Sequence, residues 1–299
     1  MKHTKKIKKT RNTKKQRNTT KQRKTRTTIK IKNKTNKVKR EDFKSKDLKS
    51  EDLNLMSGGK SKQKKCMCVD FEKKGSAFIN YEHGNKCARN VVPGTDFCDK
   101  HQDCMGFSKQ FLNKYELEYN PELWNKSPNV KNSHNCYTYF LDSRVKPVIQ
   151  KCKNLTDEKK KDKCGDLKPQ PGDFYMLVNN GTLENKNRNY SCKEMIEKIL
   201  NDNPSIQQTT FDKKCPVGSY KGAMVVDPGN TYHFYRQNAD GTWSHKPGVL
   251  DVTNVDSAGN KIYFPHTAAR KYDSSGINYT DFCSYFCIPK QDRVNMYAI

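Results

Sequence analysis

The first 40 residues carry 19 lysines or arginines and no aspartate or glutamate, which confines any folded core to the rest of the chain. This segment is a low-complexity mixture of Lys, Arg, Thr and Asn with almost nothing apolar to bury, so we predict that it is disordered. Of the formal net charge of +26, only +7 remains for the other 259 residues. The body of the protein is therefore an ordinary, mildly basic chain, long enough for a substantial core.

The basic segment has two interpretations. It can neutralise phosphates of DNA or RNA or serve as a nuclear address, or it can be a solvated tail without a dedicated partner. Residues 41–65 change to mixed charge and contain a Ser-Gly-Gly stretch, which is typical of a linker. We assign residues 1–65 to a tail and linker, with nucleic acid as the candidate partner of residues 1–40.

The chain has no apolar window of 18 or more residues, and no apolar stretch follows the basic N-terminus. We therefore expect no membrane span, and a protein that stays in the host cytoplasm or nucleus or enters a virion. Twelve cysteines are many for a reducing compartment, where cysteine clusters are more often metal sites or catalytic groups than disulfides. Disulfides remain an alternative if the protein reaches an oxidising particle.

Residues 66–108 are rich in cysteine and loop-like, which predicts a small zinc-binding module. A tetrahedral zinc site needs four ligands, commonly in close pairs from two loops. The stretch "KCARNVVPGTDFCDKH" resembles small zinc modules of viral and eukaryotic proteins. Reduced cysteines or disulfides are the alternative, and the pattern does not decide which four residues bind. The candidate ligands are Cys66, Cys68, Cys87, Cys98, His101 and Cys104.

From residue 109 onward the sequence is that of a folded domain. Apolar residues at helical spacing predict helices in "SKQFLNKYELEY" (108–119), "NCYTYFLDSRV" (135–145) and "SCKEMIEKILNDN" (191–203). Short apolar runs predict strands in "GDFYMLV" (172–178) and "KGAMVVD" (221–227), a hairpin in "TYHFYRQNADGTWSHKPG" and a terminal strand in "INYTDFCSYFCIP". Helices precede most strands, so residues 109–299 are predicted to form an α+β domain.

Cys136 is the candidate nucleophile. Asn135 is a plausible helix N-cap, which would place the thiol at a helix N-terminus, where the dipole and free N–H groups lower a thiol pKa and can hold an oxyanion. His233 and His245 lie on the two predicted strands of the hairpin and can meet on one face. One imidazole would accept the thiol proton and the other would fix its tautomer.

This order of elements resembles the NlpC-type and CHAP-type papain-like hydrolases. The resemblance is carried by "NCYTYF", "QPGDFYML", "YHFYRQ" and "WSHKPG" within residues 130–289. It implies a papain-like α+β fold, in which the helix bearing Cys136 packs on an antiparallel sheet bearing His233. It also implies cleavage of a peptide or amide through an acyl-enzyme that water resolves. The chain departs from the family by more than fifty residues between "GDFYML" and His233, and by Asn rather than Asp before the cysteine.

Several alternatives remain open from the sequence. Asp227 and Asn254 are alternative candidates for the orienting role, and His134 is an alternative candidate for the base. A cysteine beside aromatic residues is commonly a core residue, so the second hypothesis is a non-catalytic virion or nucleic-acid-associated structural protein. The composition and basic tail resemble proteins of giant DNA viruses of amoebae. The free or disulfide state is undecided for Cys152, Cys164, Cys192, Cys215, Cys283 and Cys287.

Overall fold

The computed structural model describes residues 63–74, 77–80, 85–156, 160–173 and 190–290. The predicted disordered tail, nearly all of the linker and most of the predicted strand at 172–178 lie outside the described residues. Within these ranges the strands are β1 (Phe71–Lys74), β2 (Ala77–Asn80), β3 (Gln207–Thr209), β4 (Ser219–Asp227), β5 (Thr231–Gln237), β6 (Trp243–His245), β7 (Lys271–Tyr272), β8 (Ile277–Asn278) and β9 (Asp281–Pro289).

The helices are short apart from two that exceed two turns. They are α1 (Cys104–Lys109), α2 (Glu122–Asn125), α3 (Pro128–Ser133), α4 (Cys136–Phe140), α5 (Lys146–Asn154), α6 (Lys160–Asp166) and α7 (Cys192–Asp202). Helix α7 begins as predicted, because the Ser191 hydroxyl accepts a hydrogen bond from the N–H of Glu194. No helix in the described part of the chain has the length and apolar character needed to cross a bilayer.

Five strands form one antiparallel sheet in the order β3-β9-β4-β5-β6. Strand β4 is buried along almost its whole length. It can be apolar on both sides because helices cover one face of the sheet, and the cysteine-rich segment covers the other. This architecture confirms the predicted α+β class, the strand at 221–227 and the hairpin.

Alternate residues of β5 belong to different faces of the sheet. Tyr232 and Phe234 pack with α4 and α7, whereas Tyr235 packs in the cluster on the opposite face. Strand β6 pairs only with residues Tyr235–Gln237 of β5. The first half of β5 therefore runs past the end of β6, and α4 contacts β5.

Helix α4 lies close to the sheet because β4 carries a glycine beneath it. A Cβ atom on Gly222 would lie 2.3 Å from Cε2 of Phe140 and 2.7 Å from Cδ1 of Ile288. Both neighbours are buried, so the Phe140 ring fills the space that a side chain at this position would need. Because Gly222 has no side chain, the helix that begins at Cys136 can pack directly against strand β4.

The cysteine-rich segment shares a hydrophobic core with the sheet. Phe107 of α1 is fully buried and stacks on Phe71, with ring centroids 4.3 Å apart. The same ring contacts Phe211 and Phe264, which lie far along the chain. Residues on both sides of the predicted boundary at 108 therefore pack in a single cluster.

Two predicted helices are shorter than expected. The helix predicted at 135–145 ends at Phe140. Helix α1 ends at Lys109, and residues 110–119 form turns and extended chain instead of continuing the helix predicted for 108–119. Leu117 forms a parallel bridge with Asn238, and its carbonyl oxygen accepts a hydrogen bond from the N–H of Ala239. Phe111 packs on the Phe107 ring. The apolar residues of this segment thus pack against distant parts of the fold. Its backbone bonds to the hairpin turn instead of forming a helix.

Candidate active site and metal centre

The start of helix α4 is set by a cap. The Asn135 side-chain oxygen accepts a hydrogen bond from Thr138 N at 3.1 Å, and the Thr138 hydroxyl accepts one from Asn135 N at 3.0 Å. This reciprocal pair is a capping box. Asn135 Nδ2 also donates to the carbonyl oxygen of Pro169 at 2.9 Å. This bond connects the segment after α6 to the start of α4. The predicted N-cap is confirmed, and Cys136 is the first residue of the helix.

The thiol of Cys136 is buried against strand β5, with 5% of the residue exposed. Burial raises the pKa of this thiol to about 12, and the backbone N–H groups of Phe234, Tyr137 and Cys136 itself lower it by less. Since Phe234 follows His233, the sulfur lies beside the strand that carries the candidate base. The N–H groups of the helix start are present as expected, but burial outweighs them and keeps the thiol protonated at neutral pH.

The two histidines of the hairpin hydrogen-bond through their rings. Nε2 of His233 lies 2.7 Å from Nδ1 of His245, and Nε2 of His245 lies 2.9 Å from the carbonyl oxygen of Val255. His245 pairs in register with Tyr235, two residues beyond His233 on the same face of the sheet. The geometry is the side-by-side arrangement that the hairpin predicted.

These hydrogen bonds assign the tautomers of both rings. A carbonyl oxygen only accepts, so Nε2 of His245 carries its proton and Nδ1 of His245 is an acceptor. Nε2 of His233 must then donate to that acceptor, which leaves Nδ1 of His233 as the unprotonated nitrogen. Among the described residues, no hydrogen bond uses this Nδ1 atom. His245 therefore holds the ring of His233 with its basic nitrogen available.

Aromatic rings surround His233. Tyr235 meets its ring edge-on at 5.1 Å, and Tyr279 lies at 5.4 Å with 31° between the ring planes. Burial, followed by the nearby His245, lowers the pKa of His233 well below its usual value, and burial lowers the pKa of His245 to about 4. Both imidazoles are uncharged at neutral pH. The surroundings favour a resting pair of neutral thiol and neutral imidazole.

Cys136 packs with Phe234 on one face of β5, whereas His233 packs with Tyr235 on the other face. Tyr279 contacts the His233 ring and lies within electrostatic range of Cys136. No hydrogen bond joins Cys136 Sγ to a histidine in the part of the chain that the structure describes.

The other sequence candidates have different roles. His134 uses both ring nitrogens, since Nε2 accepts from Val145 N at 2.9 Å and Nδ1 bonds the Ser133 hydroxyl at 2.9 Å. The Asp227 carboxylate accepts hydrogen bonds from two asparagines. Asn254 accepts a hydrogen bond on its backbone carbonyl. The side chain that contacts Nε2 of His233 is that of His245.

Two residues of this region carry no signal in the sequence. Tyr279 has no local signal, because its contact with the histidine ring depends on the fold. Lys246 is fully buried, and its ammonium donates to the carbonyl oxygens of Lys131 and Gly248 at 2.7 Å and of Leu250 at 3.1 Å. Burial lowers the pKa of Lys246 to about 7. A lysine directly after "WSH" and before a proline is typical of an exposed loop, so nothing in the sequence indicated that Lys246 is buried.

A second site lies in the cysteine-rich segment. Three thiols and one imidazole converge, with all ligand atoms within 4.8 Å of one another, and we name this the CCCH cluster (Cys66, Cys87, Cys98 and His101). Nδ1 of His101 lies 3.4 Å from the sulfur of Cys98 and 3.7 Å from that of Cys66, and the sulfurs of Cys87 and Cys98 are 3.8 Å apart. A tetrahedron with metal–sulfur bonds of about 2.3 Å has edges of about 3.8 Å. The cluster therefore has the dimensions to hold a metal ion.

Neighbouring groups orient the CCCH cluster. The backbone N–H of Cys98 donates to the sulfur of Cys66 at 3.2 Å. The His101 ring stacks on Phe71 at 4.8 Å and donates a hydrogen bond to the Phe71 backbone. All four ligand side chains are buried. Such outer contacts fix the tautomer and direction of a metal-ligating histidine.

Two of the six predicted metal ligands have another role. Cys68 and Cys104 form a disulfide with each other, so they leave the ligand set that the sequence proposed. A metal binds a thiolate, and a sulfur in a disulfide carries no such charge. Four of the six candidates thus remain in one cluster that could bind a metal.

Three further disulfides connect separate segments of the chain. They are Cys152–Cys164 between α5 and α6, Cys192–Cys283 between α7 and β9, and Cys215–Cys287 at the end of β9. The cysteines outside these bonds are the three thiols of the CCCH cluster and Cys136. Disulfides of this kind persist in oxidising compartments.

Comparison with known proteins gives one partial similarity. No family profile matches the chain, and no solved structure matches it. The insoluble matrix shell protein 1 of Ruditapes philippinarum is 41% identical to this chain over 73 residues, which are 24% of the chain. The chain spans 45% of the length of that relative. The similarity therefore concerns a segment of each protein.

Proposed function

We propose that the protein is a papain-like cysteine hydrolase that cleaves a peptide or amide bond through an acyl-enzyme on Cys136. The observation that carries this proposal is the ordered histidine pair. His245 binds Nε2 of His233 and leaves Nδ1 of His233 free to accept a proton. Cys136 begins a helix beside the same strand, and it is the described free cysteine that lies outside the CCCH cluster.

In the proposed reaction, Nδ1 of His233 takes the thiol proton as the sulfur of Cys136 attacks the carbonyl carbon. The N–H groups of Cys136 and Tyr137 at the start of α4 would stabilise the oxyanion. His233 then returns the proton to the amine nitrogen as the carbon–nitrogen bond breaks, leaving a thioester. Water, deprotonated by the same imidazole, hydrolyses the thioester and restores the thiol.

The environment favours general-base attack over a preformed ion pair. Burial raises the pKa of the Cys136 thiol and lowers the pKa of His233, so both groups rest uncharged. A proton moves between them only as the negative charge passes to the substrate oxygen. The proposed reaction requires the thiol and Nδ1 of His233, which pack on different faces of β5, to meet around the edge of that strand when substrate binds.

The test is the rate at which an activated acyl probe modifies Cys136 in the full chain, located by peptide mass spectrometry. We expect His233→Gln to lower this rate by about 10²-fold or more, because the general base is lost. His266→Gln is the matched control, since His266 bonds Tyr285 outside the histidine pair. Cys136 modification that is equally fast in folded His233→Gln protein would refute the proposal.

Two observations favour a second candidate, a non-catalytic structural component of a particle or matrix. A 73-residue segment is similar to a shell matrix protein, and four disulfides cross-link the described chain. In that case Cys136 is a core residue. The acyl probe would then react with Cys136 only when the protein unfolds. Any cleavage seen in a peptide mixture would be the same for the natural sequence and for Cys136→Ala.

We infer that the ion of the CCCH cluster is zinc in a structural role. Three thiolates and one imidazole form a donor set that zinc commonly binds, and four protein ligands leave no open position for chemistry. We expect about one zinc per chain in the purified protein by elemental analysis. The Cys87→Ser variant should lose most of this zinc. Metal-free protein from zinc-supplemented medium would contradict the inference.

The disulfides and the tail support two further parts of the proposal. Four disulfides favour an oxidising location, such as a virion or the exterior of a cell, over the reducing cytoplasm. Residues 1–40, with their 19 basic side chains, would bind nucleic acid without sequence specificity. The DNA affinity of the full chain should then fall steeply with added salt and be lost when residues 1–40 are deleted.

A further inference from the structure

We propose that the ion in the CCCH cluster also decides which cysteines of this segment form a disulfide. While bound, it would keep the three cluster thiols reduced and leave Cys68–Cys104 as the one disulfide of this segment. The inference rests on the metal site proposed above and is independent of the hydrolase activity. It gives the site a role in oxidative folding in addition to its role in stability.

Sulfurs that could compete for a disulfide lie close together in this segment. Five cysteines crowd into one small core, and Cys66 and Cys68 are separated by a single residue. The sulfurs of Cys87 and Cys98 are 3.8 Å apart without a bond between them. A disulfide needs a sulfur–sulfur distance of about 2.05 Å, so a shift of less than about 2 Å would join this pair. A reduced pair at contact distance thus lies in the same core as an oxidised pair.

Solvent access does not explain the difference between the two pairs. Cys68 and Cys104 are fully buried in the finished fold, and Cys87 and Cys98 are equally hidden, at 2% and 0% exposure. The reduced thiols differ in one respect, because they converge with Nδ1 of His101 on a common point. The reduced sulfurs of this segment are therefore those that belong to the CCCH cluster, and the oxidised sulfurs are those that do not.

The chemistry of oxidation supports this assignment. In a compartment that forms the other disulfides, glutathione disulfide would convert the thiols of Cys87 and Cys98 into one disulfide and release two molecules of glutathione. The step begins with attack of a thiolate on the disulfide sulfur of glutathione. A thiolate bound to a metal has its electron pair engaged in coordination. The ion therefore blocks the first step at each ligand sulfur.

The two outcomes exclude each other. A disulfide between Cys87 and Cys98 would remove two of the four ligands, so the ion could no longer be held. An ion bound first would in turn prevent that disulfide. The order in which the chain meets metal and oxidant should therefore decide the product, and this dependence on order is what the proposal predicts.

The test is refolding of the reduced, full-length chain in a glutathione redox buffer. Zinc is added before the oxidant, after oxidation is complete, or replaced by magnesium or a chelator, since magnesium prefers oxygen ligands. With zinc first, we expect four free thiols in the denatured product and the Cys68–Cys104 disulfide in the peptide map. In the other three conditions we expect two fewer free thiols and a Cys87–Cys98 disulfide.

A ligand variant that keeps every cysteine sharpens the test. His101→Ala removes one ligand, so it should form the Cys87–Cys98 disulfide even when zinc is added first. Lys100→Ala is the matched control, because Lys100 is an exposed neighbour and should behave as the natural sequence does.

The zinc content of each product separates the two proposals. If zinc added first is bound but the disulfide map is the same in all four conditions, the guiding role is overturned and the zinc site stands. If no zinc is bound when it is added first, the zinc site fails and this inference fails with it. Zinc bound only in the zinc-first product, together with the change in map, supports both.

Discussion

Replacing Gly222 by alanine should push helix α4 away from the sheet. The new Cβ would lie 2.3 Å from Cε2 of Phe140 and 2.7 Å from Cδ1 of Ile288, whereas carbon atoms in contact are about 3.5–4.0 Å apart. Neither neighbour has free space, since Phe140 is fully buried and Ile288 is 2% exposed. Overpacking in a core costs about 1–3 kcal/mol, and two displaced neighbours point to the upper end, about 3 kcal/mol of unfolding free energy.

The assay is equilibrium denaturation of the full chain in urea with its disulfides intact. The midpoint should fall while the slope stays constant, because the unfolded state exposes the same surface. In a thermal scan, the loss corresponds to a decrease in Tm of roughly 6–12 °C. Gly165→Ala in α6 is the matched control. Its Cβ would meet Val249 at 3.8 Å in ordinary contact, so helix propensity should stabilise the protein by up to about 1 kcal/mol.

A second variant tests the cause of the loss. Phe140→Leu should recover part of the stability of Gly222→Ala protein while costing stability alone, which is non-additive behaviour expected of residues in contact. If Gly222→Ala stays within about 0.5 kcal/mol of the natural sequence, α4 does not rest on β4 as described. The position derived for Cys136 would then be wrong.

Three further outcomes follow from buried ionisable groups. Burial raises the pKa of Glu116 to about 7, so its folded-state pKa exceeds the unfolded value of 4.5. Its contribution to stability is then present below pH 4.5 and is lost as pH rises through 7. The difference in unfolding free energy between the natural sequence and Glu116→Gln should change by up to about 3 kcal/mol across this window, and a difference constant with pH would contradict the assignment. Lys246→Met leaves three carbonyl oxygens without their donor and should cost about 2–5 kcal/mol in urea denaturation. Exposed Lys100→Met should cost less than about 0.5 kcal/mol, and equal losses would refute the burial of Lys246. In His233→Gln protein, which lacks the proposed base, the rate of Cys136 alkylation should rise about tenfold per pH unit from pH 6 to 10, since burial raises the pKa of this thiol to about 12. A plateau below pH 9 would show a lower pKa.

The parts of the candidate site that could be predicted are those with local causes. The Asn135 cap depends on a residue three positions away, and a helix start follows from that chemistry. The pairing of His233 with His245 follows from a short turn and the alternation of side chains along strands. The helix predicted at 108–119 was wrong beyond Lys109, because apolar spacing does not distinguish a helix from extended chain packed against a distant hairpin.

The sequence by itself determined where charge excludes a core, where a helix must begin at Cys136 and which six residues could ligate a metal. Only the tertiary structure decided that Cys68 bonds to Cys104 while three other cysteines converge with His101. It also decided that the Cys136 thiol has a raised pKa, against the effect of its own helix. The physical reason is the separation along the chain between the residues that interact. Caps and turns depend on residues a few positions apart, whereas disulfide partners lie up to 91 residues apart and desolvation depends on everything that packs around a group.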